Sequence, residues 1–185
     1  MKKAFLLLLC ILVSGCATTD DAMARGLQLR SRISSASSCS FDAEITADYG
    51  DQTYTFSVGC TFDSSGNLKF VVQSPETISG IEGTIDSAGG KLEFDDTALA
   101  FPLLADDQLS PVSAPWILMK TLRSGFITSA GTVGGYTRLI VDDSFDSDPF
   151  TLHIFLDDTN SPTEVEIYWH NRRILTLSIR NFQML

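Results

Sequence analysis

Groups that can act as a general base near neutral pH are scarce in this chain, because its 185 residues include only two histidines, His153 and His170. The alternation of apolar residues around them places both on the polar side of predicted strands. Neither is accompanied by a serine or cysteine in a recognisable nucleophile turn, so a hydrolase of the Ser–His or Cys–His kind is disfavoured. We expect both histidines to face solvent and the protein not to be an enzyme.

Positive charge is also scarce, since 13 lysines and arginines stand against 23 aspartates and glutamates, a net charge of −10. Such a surface repels phosphates, which argues against a nucleic-acid partner and against broad adhesion to an anionic membrane. The densest basic group, Arg25, Arg30 and Arg32, falls on a helix predicted over residues 20–36. It is interpreted either as a contact with lipid headgroups or as a solvated helix face.

Two motifs resemble ligand sites but lack the residues that would define one. The acidic segment 142–148 has the alternating oxygens of a calcium loop, yet Ser147 stands where glycine is needed and His153 where glutamate is needed. The glycine-rich segment 131–135 has no lysine for a phosphate loop, and we predict a flexible strand entry or bulge there. The sequence therefore predicts no metal site and no cofactor.

Long apolar runs are lacking as well: none reaches the roughly 20 residues that span a bilayer. The run at residues 4–13 has the length of a secretory signal, two lysines precede it, and Val-Ser-Gly-Cys at 13–16 ends it. This order resembles the bacterial lipoprotein signal, the lipobox, in which cleavage exposes a cysteine that carries a diacylglyceryl group with palmitate-type chains. We interpret residues 1–15 as a signal peptide and Cys16 as the lipidation site. An ordinary signal cut nearby, with Cys16 incidental, is the alternative.

The lipid is expected to provide most of the attachment. Without residues 1–15 the chain has 11 basic and 23 acidic residues, a net charge of −12, and two or more acyl chains anchor a protein stably where one does not. Residues 16–21 are interpreted as a short lipidated tether that reaches about 17 Å when extended, and residues 22–185 as a single domain. We expect an exported protein anchored to a bacterial membrane, either the plasma or the outer membrane.

From Phe41 onward the apolar residues alternate, which predicts antiparallel strands with one apolar face. Folding residues 41–48 onto 54–62 across a turn at Gly50 and Asp51 brings four apolar pairs together: Phe41 with Cys60, Ala43 with Val58, Ile45 with Phe56, and Ala47 with Tyr54. Cys39 then lies on the same face, diagonal to Cys60. Both a disulfide, which persists in exported proteins, and two buried thiols fit this placement.

The remaining elements follow the same logic. A loop ending at Gly66 predicts a third strand that sets Phe62 against Leu68, Cys60 against Phe70, and Val58 against Val72. A largely buried helix is predicted over Ala114–Ser124, with Ser113 as N-cap and Gly125 at its end. Further strands are predicted over residues 77–85, 91–94, 132–141, 150–156, 163–170 and 174–182, with a short edge segment over 98–104.

The order of these elements resembles the LolA/LolB-like lipoprotein-carrier superfamily, and residues 162–169 and 174–182 are similar to that family's final hairpin. The resemblance implies an α+β, mainly antiparallel fold: a curved, incomplete β-barrel with an N-terminal helix and one buried helix on its concave side. It also implies a cavity for lipid or another apolar ligand, lined by Phe56, Val58, Phe70, Val72, Trp116, Met119, Ile167 and Trp169.

Two functions are therefore considered. The first is a membrane-anchored lipoprotein that binds a lipid or other apolar ligand in the cell envelope without catalysis. The alternative is a structural or interaction lipoprotein that binds an envelope or spore-germination protein. Because soluble carriers of the family are not lipidated, Cys16 implies an anchored acceptor, adaptor or sensor rather than a shuttle.

Overall fold

The computed structural model describes residues 17–94, 97–105 and 108–185. The predicted signal peptide and Cys16 lie outside the described residues. Among the helices that are described, none is both long enough and apolar enough to cross a bilayer.

Eleven strands form one antiparallel sheet, in the order β6-β5-β4-β3-β2-β1-β13-β12-β11-β10-β9. The sheet is curved, and its terminal strands β6 and β9 are not paired with each other in the described part of the chain, so it forms an open rather than a closed barrel. A small ribbon of β7 and β8 stands apart from it. The strands are β1 Ser38–Asp48, β2 Thr53–Asp63, β3 Leu68–Ser74, β4 Glu82–Asp86, β5 Gly89–Phe94, β6 Thr97–Phe101, β7 Leu104–Ala105, β8 Gln108–Leu109, β9 Phe126–Val133, β10 Tyr136–Asp142, β11 Thr151–Leu156, β12 Pro162–Trp169 and β13 Arg172–Met184.

The strand register expected from the alternation is confirmed in the first two hairpins. All four apolar pairs between β1 and β2 are present, and the three pairs between β2 and β3 are also as predicted. One face of these strands is buried while the other is largely exposed. A slip of one residue would turn every apolar side chain to the wrong face, which is why the pattern alone specifies the register.

Two helices pack on the concave side: α1, Ala17–Ser35, and α2, Ala114–Ser124. Helix α1 lies along β9 and β10 and contacts α2, and Gly26 allows a close approach to Leu139. The helix begins at Ala17 rather than Asp20, so residues 17–21 are helical and not an extended tether. Asp20 in the first turn stabilises this start through the helix dipole.

Helix α2 is almost wholly buried, as predicted, but its start differs from the expectation. Ser113 occupies the N-cap position, as predicted, but it also ends a 3₁₀ turn, Pro111–Ser113, its backbone is already helical, and its side chain makes no capping hydrogen bond. The preceding turn continues into the helix, so no extended capping residue is needed. The predicted end is confirmed, because the Gly125 N–H donates to the Thr121 carbonyl at 2.8 Å.

Two of the predicted strands are divided or shortened by glycines. The segment predicted as a strand over 77–85 contains a 3₁₀ turn, Glu76–Ile78, and Gly80 at φ +87°, a left-handed conformation that a strand does not continue through. The segment 132–141 belongs to two strands, because Gly134 and Gly135 have φ of 60° and 88° and form a hairpin turn. The segment 131–135, predicted as a flexible strand entry or bulge, is therefore the end of β9 followed by a turn.

The arginines of α1 fix the helix to its surroundings. The Arg30 Nε–H donates to the Leu122 carbonyl at 2.9 Å and its Nη2–H to the Gly125 carbonyl at 2.7 Å, which joins α1 to the end of α2. Arg25 donates to the Asp157 carbonyl. Only Arg32 of this group is exposed, so two of the three side chains make internal contacts rather than forming a solvated or lipid-facing surface.

Replacing Arg30 by methionine should therefore lower the free energy of unfolding by about 1–3 kcal/mol, the range for charge-assisted hydrogen bonds to partly buried carbonyls. Urea denaturation followed by circular dichroism measures it. The matched control is Arg32→Met on the same helix, which should change stability by less than about 0.5 kcal/mol. Equal losses in the two variants would show that the measurement reports helix propensity and not the hydrogen bonds from Arg30 to the end of α2.

Candidate functional site

A cavity of about 370 Å³ opens at the end of the concave face where β1 and β12 end and β13 begins. We call this region the open end of the sheet. The ribbon β7–β8 contributes Leu109. The lining residues are Asp48, Tyr49, Leu109, Trp169, His170, Arg172, Ile174 and Leu175.

The inner wall of the cavity is apolar. Leu109 and Leu175 are buried at 3% exposure each, and Ile174 is half-buried against the core. Aromatic rings stand nearer the opening: Trp169 packs at 6.3 Å from Phe150, measured between ring centroids. The cavity therefore has an apolar inner wall and aromatic rings near its opening, which is typical of sites for small apolar or amphipathic ligands.

The apolar face of the sheet extends beyond the cavity and bears exposed apolar side chains. Ala47 is paired with Leu175 of β13 on one side and with Tyr54 of β2 on the other. The same side of β5 and β6 bears Phe94 and Leu99, exposed at 55% and 62%, and Tyr54 is exposed at 53%. Large apolar side chains that share one uncovered face mark a binding surface more often than a packing defect.

Charged groups surround the opening. The Arg172 Nη2–H donates to the Asp48 carbonyl at 3.1 Å, and the same nitrogen lies 3.7 Å from the Asp48 carboxylate. The His170 Nε2 lies 3.3 Å from the Asp148 carboxylate, and its ring stacks on Trp169 with centroids 4.4 Å apart. The opening thus carries both signs of charge beside aromatic rings.

Of the eight cavity residues expected from the family resemblance, one lines this cavity and most are buried. Six of the eight are buried in the hydrophobic core, where Val58 pairs directly with Val72. Phe56 is half-buried between that core and the open end, and Trp169 lines the cavity. The six in the core are Val58, Phe70, Val72, Trp116, Met119 and Ile167.

Trp116 illustrates the difference. Its indole N–H donates to the Gly66 carbonyl at 2.9 Å, so the ring covers the opposite end of the sheet from the cavity. Sequence reasoning missed Tyr49, Leu109, Ile174 and Leu175. Their position could have indicated the site, because Tyr49, Ile174 and Leu175 lie next to turns at the ends of strands that have an apolar face.

Cys39 and Cys60 are both buried free thiols. Of the two arrangements that the sequence left open, this is the unbonded one. Cys39 pairs with Phe62 and Cys60 with Phe41, so the cysteines are diagonal neighbours. Diagonal positions lie about 7–8 Å apart, beyond the geometry of an unstrained disulfide. Burial raises the pKa of both thiols, most strongly that of Cys60, and keeps them protonated.

His153 lies on the convex face, in a cluster of charged and polar side chains that are hydrogen-bonded to one another. Its Nδ1 is 3.6 Å from the Glu166 carboxylate, which accepts hydrogen bonds from Arg173 at 2.5 Å and Tyr168 at 3.1 Å. Burial acts to raise the pKa of Glu166, but these hydrogen bonds outweigh it and hold the pKa below its ordinary value. Burial, helped by the charge of Arg138, lowers the pKa of His153.

This cluster holds its carboxylate ionised and its histidine neutral near pH 7, an arrangement suited to pairing strands. His170 lies in a left-handed turn at φ 48° and not within a strand as predicted. Among the residues that the structure describes, no group of three or more histidine, cysteine, aspartate or glutamate side chains is placed to hold a metal ion.

No protein-family model matches the chain, and no curated protein matches it. Solved structures of similar shape include a LolA superfamily protein from Nitrosomonas europaea, with 6% identity over 86% of this chain and 93% of the other and a TM-score of 0.48. The lipoprotein LppX from Mycobacterium tuberculosis has 11% identity over 88% and 95%, TM-score 0.41. A structure of the CwlD amidase from Clostridioides difficile in complex with the GerS lipoprotein has 14% identity over 85% and 92%, TM-score 0.43.

We expect Cys39 and Cys60 to stay unmodified when the native protein is treated with iodoacetamide at pH 8, because both are buried and protonated. After unfolding in urea both should react fully, as measured by mass spectrometry of the peptides. A thiol reductant should leave the urea midpoint unchanged. A peptide pair joined by a Cys39–Cys60 disulfide would contradict the free-thiol arrangement.

Proposed function

We propose that this protein is a lipid-anchored protein of the bacterial envelope that binds a lipid or another apolar ligand at the open end of its sheet, without catalysis. The cavity of about 370 Å³ carries the proposal. Its size lies within the range of small-ligand pockets, and its walls are apolar where Leu109, Ile174 and Leu175 meet. Its aromatic and charged groups stand at the opening rather than at the floor.

Exposed apolar side chains elsewhere on the same face of the sheet support the same function. Tyr54, Phe94 and Leu99 each leave at least half of their surface in water on the face that elsewhere forms the core. Transfer of such surface out of water is favourable by roughly 25 cal/mol per Å². A ligand with a long apolar part would therefore gain binding energy both in the cavity and along this face.

The sequence supports the anchor. Residues 13–16 resemble a lipobox, and α1 begins at Ala17, directly after the proposed lipid-bearing Cys16. Because residues 17–21 are helical, they rise about 1.5 Å per residue and reach about half as far as an extended tether. An anchor at Cys16 would hold the start of α1 close to the bilayer surface.

A protein partner in the envelope or in spore germination is the second candidate, and β6 favours it. This edge strand, Thr97–Phe101, contains no charged residue and no proline, which are the usual devices that keep a strand edge from pairing. An extended segment of another protein could add to it by backbone hydrogen bonds. In vivo photo-cross-linking from position 99 would capture such a partner.

Filling the cavity tests the first function. We expect Ile174→Trp to weaken binding of a fluorescent fatty-acid probe by about tenfold or more, which corresponds to about 1.4 kcal/mol. The physical reason is that the larger ring occupies the space between Leu109 and Leu175. Fluorescence titration of the purified protein measures the dissociation constant.

The control for this variant is Ile140→Trp, because Ile140 is also a half-buried isoleucine on a strand but faces the convex side. It should bind the probe as the unmodified protein does. Equal binding by all three proteins would remove the cavity as the ligand site.

The anchor has its own test. Cys16→Ala should abolish labelling of the protein by palmitate and move it from the membrane fraction to the soluble fraction of cells, because no acyl chain is attached. Cys10→Ala serves as the control and should remain membrane-bound and labelled. Continued labelling of the Cys16 variant would contradict the proposed site.

A further inference from the structure

Two opposite charges stand side by side at the opening of the cavity. The Arg172 guanidinium lies 3.7 Å from the Asp48 carboxylate, and both side chains are more than half exposed. Gly50 donates its N–H to the Asp48 carboxylate at 2.7 Å, which fixes the position of the negative group. The opening therefore offers one anion-binding and one cation-binding group directly above an apolar floor.

Aromatic rings complete the same opening. Tyr49 and Trp169 line the cavity, and Tyr49 meets Tyr54 edge-on with ring centroids 5.9 Å apart. Faces of tyrosine and tryptophan attract ammonium groups through their π electrons, and carboxylates add a direct charge interaction. Asp48 with Tyr49 and Trp169 thus forms a set suited to an amine, while the fork of Arg172 is suited to a phosphate.

We propose that the cavity binds a zwitterionic phospholipid, with the phosphate on Arg172, the amine between Asp48 and the aromatic rings, and an acyl chain against Leu109, Ile174 and Leu175. This inference rests on the proposed function and names its ligand class. The chemistry shared by phosphatidylethanolamine and phosphatidylcholine, an anion and a cation joined by two carbons, matches the pair of charges at the opening.

The Asp48–Arg172 ion pair can exchange its partners for the charges of a lipid head group. Such a pair contributes only about 0–1 kcal/mol to stability, so it separates at little cost when a head group supplies each charge with a new partner. Without residues 1–15 the chain carries a net charge of −12, which repels an anionic lipid but exerts little net force on a zwitterion. Both effects favour zwitterionic over anionic lipid.

The test uses the full lipid-anchored chain in vesicles of phosphatidylcholine that contain equal small fractions of phosphatidylethanolamine and phosphatidylglycerol. In parallel samples one of these three lipids carries a photoactivatable acyl chain, and the cross-links on residues 169–175 are quantified by mass spectrometry. In the unmodified protein we expect about tenfold more cross-linking from either zwitterionic lipid than from phosphatidylglycerol at equal labelled fraction.

Two variants separate the two charges. Asp48→Asn keeps the oxygen that accepts from Gly50 but removes the negative charge, so phosphatidylglycerol should rise to at least the level of phosphatidylethanolamine. Arg172→Met should lower cross-linking of all three lipids at the cavity about tenfold. The controls are Glu93→Gln and Lys91→Met, which break a similarly exposed ion pair on β5 and should keep the zwitterionic preference.

Each outcome decides something. Equal cross-linking of zwitterionic and anionic lipids in the unmodified protein, or a preference that survives Asp48→Asn, overturns the head-group inference and leaves apolar-ligand binding intact. Absence of cross-links from every lipid at residues 169–175, with the protein anchored and folded by circular dichroism, overturns both.

Discussion

The pairing of β1 with β13 is the contact on which the rest of the structure depends. These strands lie at the middle of the sheet and join β1–β6, formed by the first half of the chain, to β9–β13, formed by the second. The pair also sets Ala47 against Leu175, which places the floor of the cavity. Without this long-range pairing the two halves would be separate meanders, and neither would have the opposite wall that the open end needs.

Helix α2 is shorter than the strands beneath it. Helix α2 has 11 residues and is about 16 Å long, whereas β1 and β2 also have 11 residues each but are about 36 Å long. Its contacts fix α2 toward one end: Trp116 donates to the Gly66 carbonyl, and Arg123 donates to the Ser64 carbonyl at 3.1 Å. The opposite end of the concave face is left uncovered, and the exposed rings of Tyr49 and Tyr54 lie there.

The buried core and the open end of the sheet hold different kinds of polar group. The thiols are protonated in the core, and Glu166 is held by Arg173 and Tyr168 on the convex face. Groups that could bind lie at the open end, where apolar floor, aromatic sides and one pair of charges meet.

By itself, the sequence determined the properties that depend on neighbours along the chain. Alternation specified the faces and the register of the first three strands, because a one-residue slip would expose every apolar side chain. Where a glycine has a positive φ, as at Gly80 and Gly134, local pattern was insufficient, because alternation does not report the backbone conformation that divides a strand.

Only the tertiary structure decided which apolar residues form the core and which form the site. Val58 and Trp169 look alike in an alternating pattern, yet one is covered by α2 and the other stands beyond its reach. The same holds for Arg30 and Arg32, which are two residues apart on one helix but differ in whether a carbonyl is within reach. Coverage depends on where a distant helix ends, and that is a matter of lengths and contacts across the whole fold rather than of any local signal.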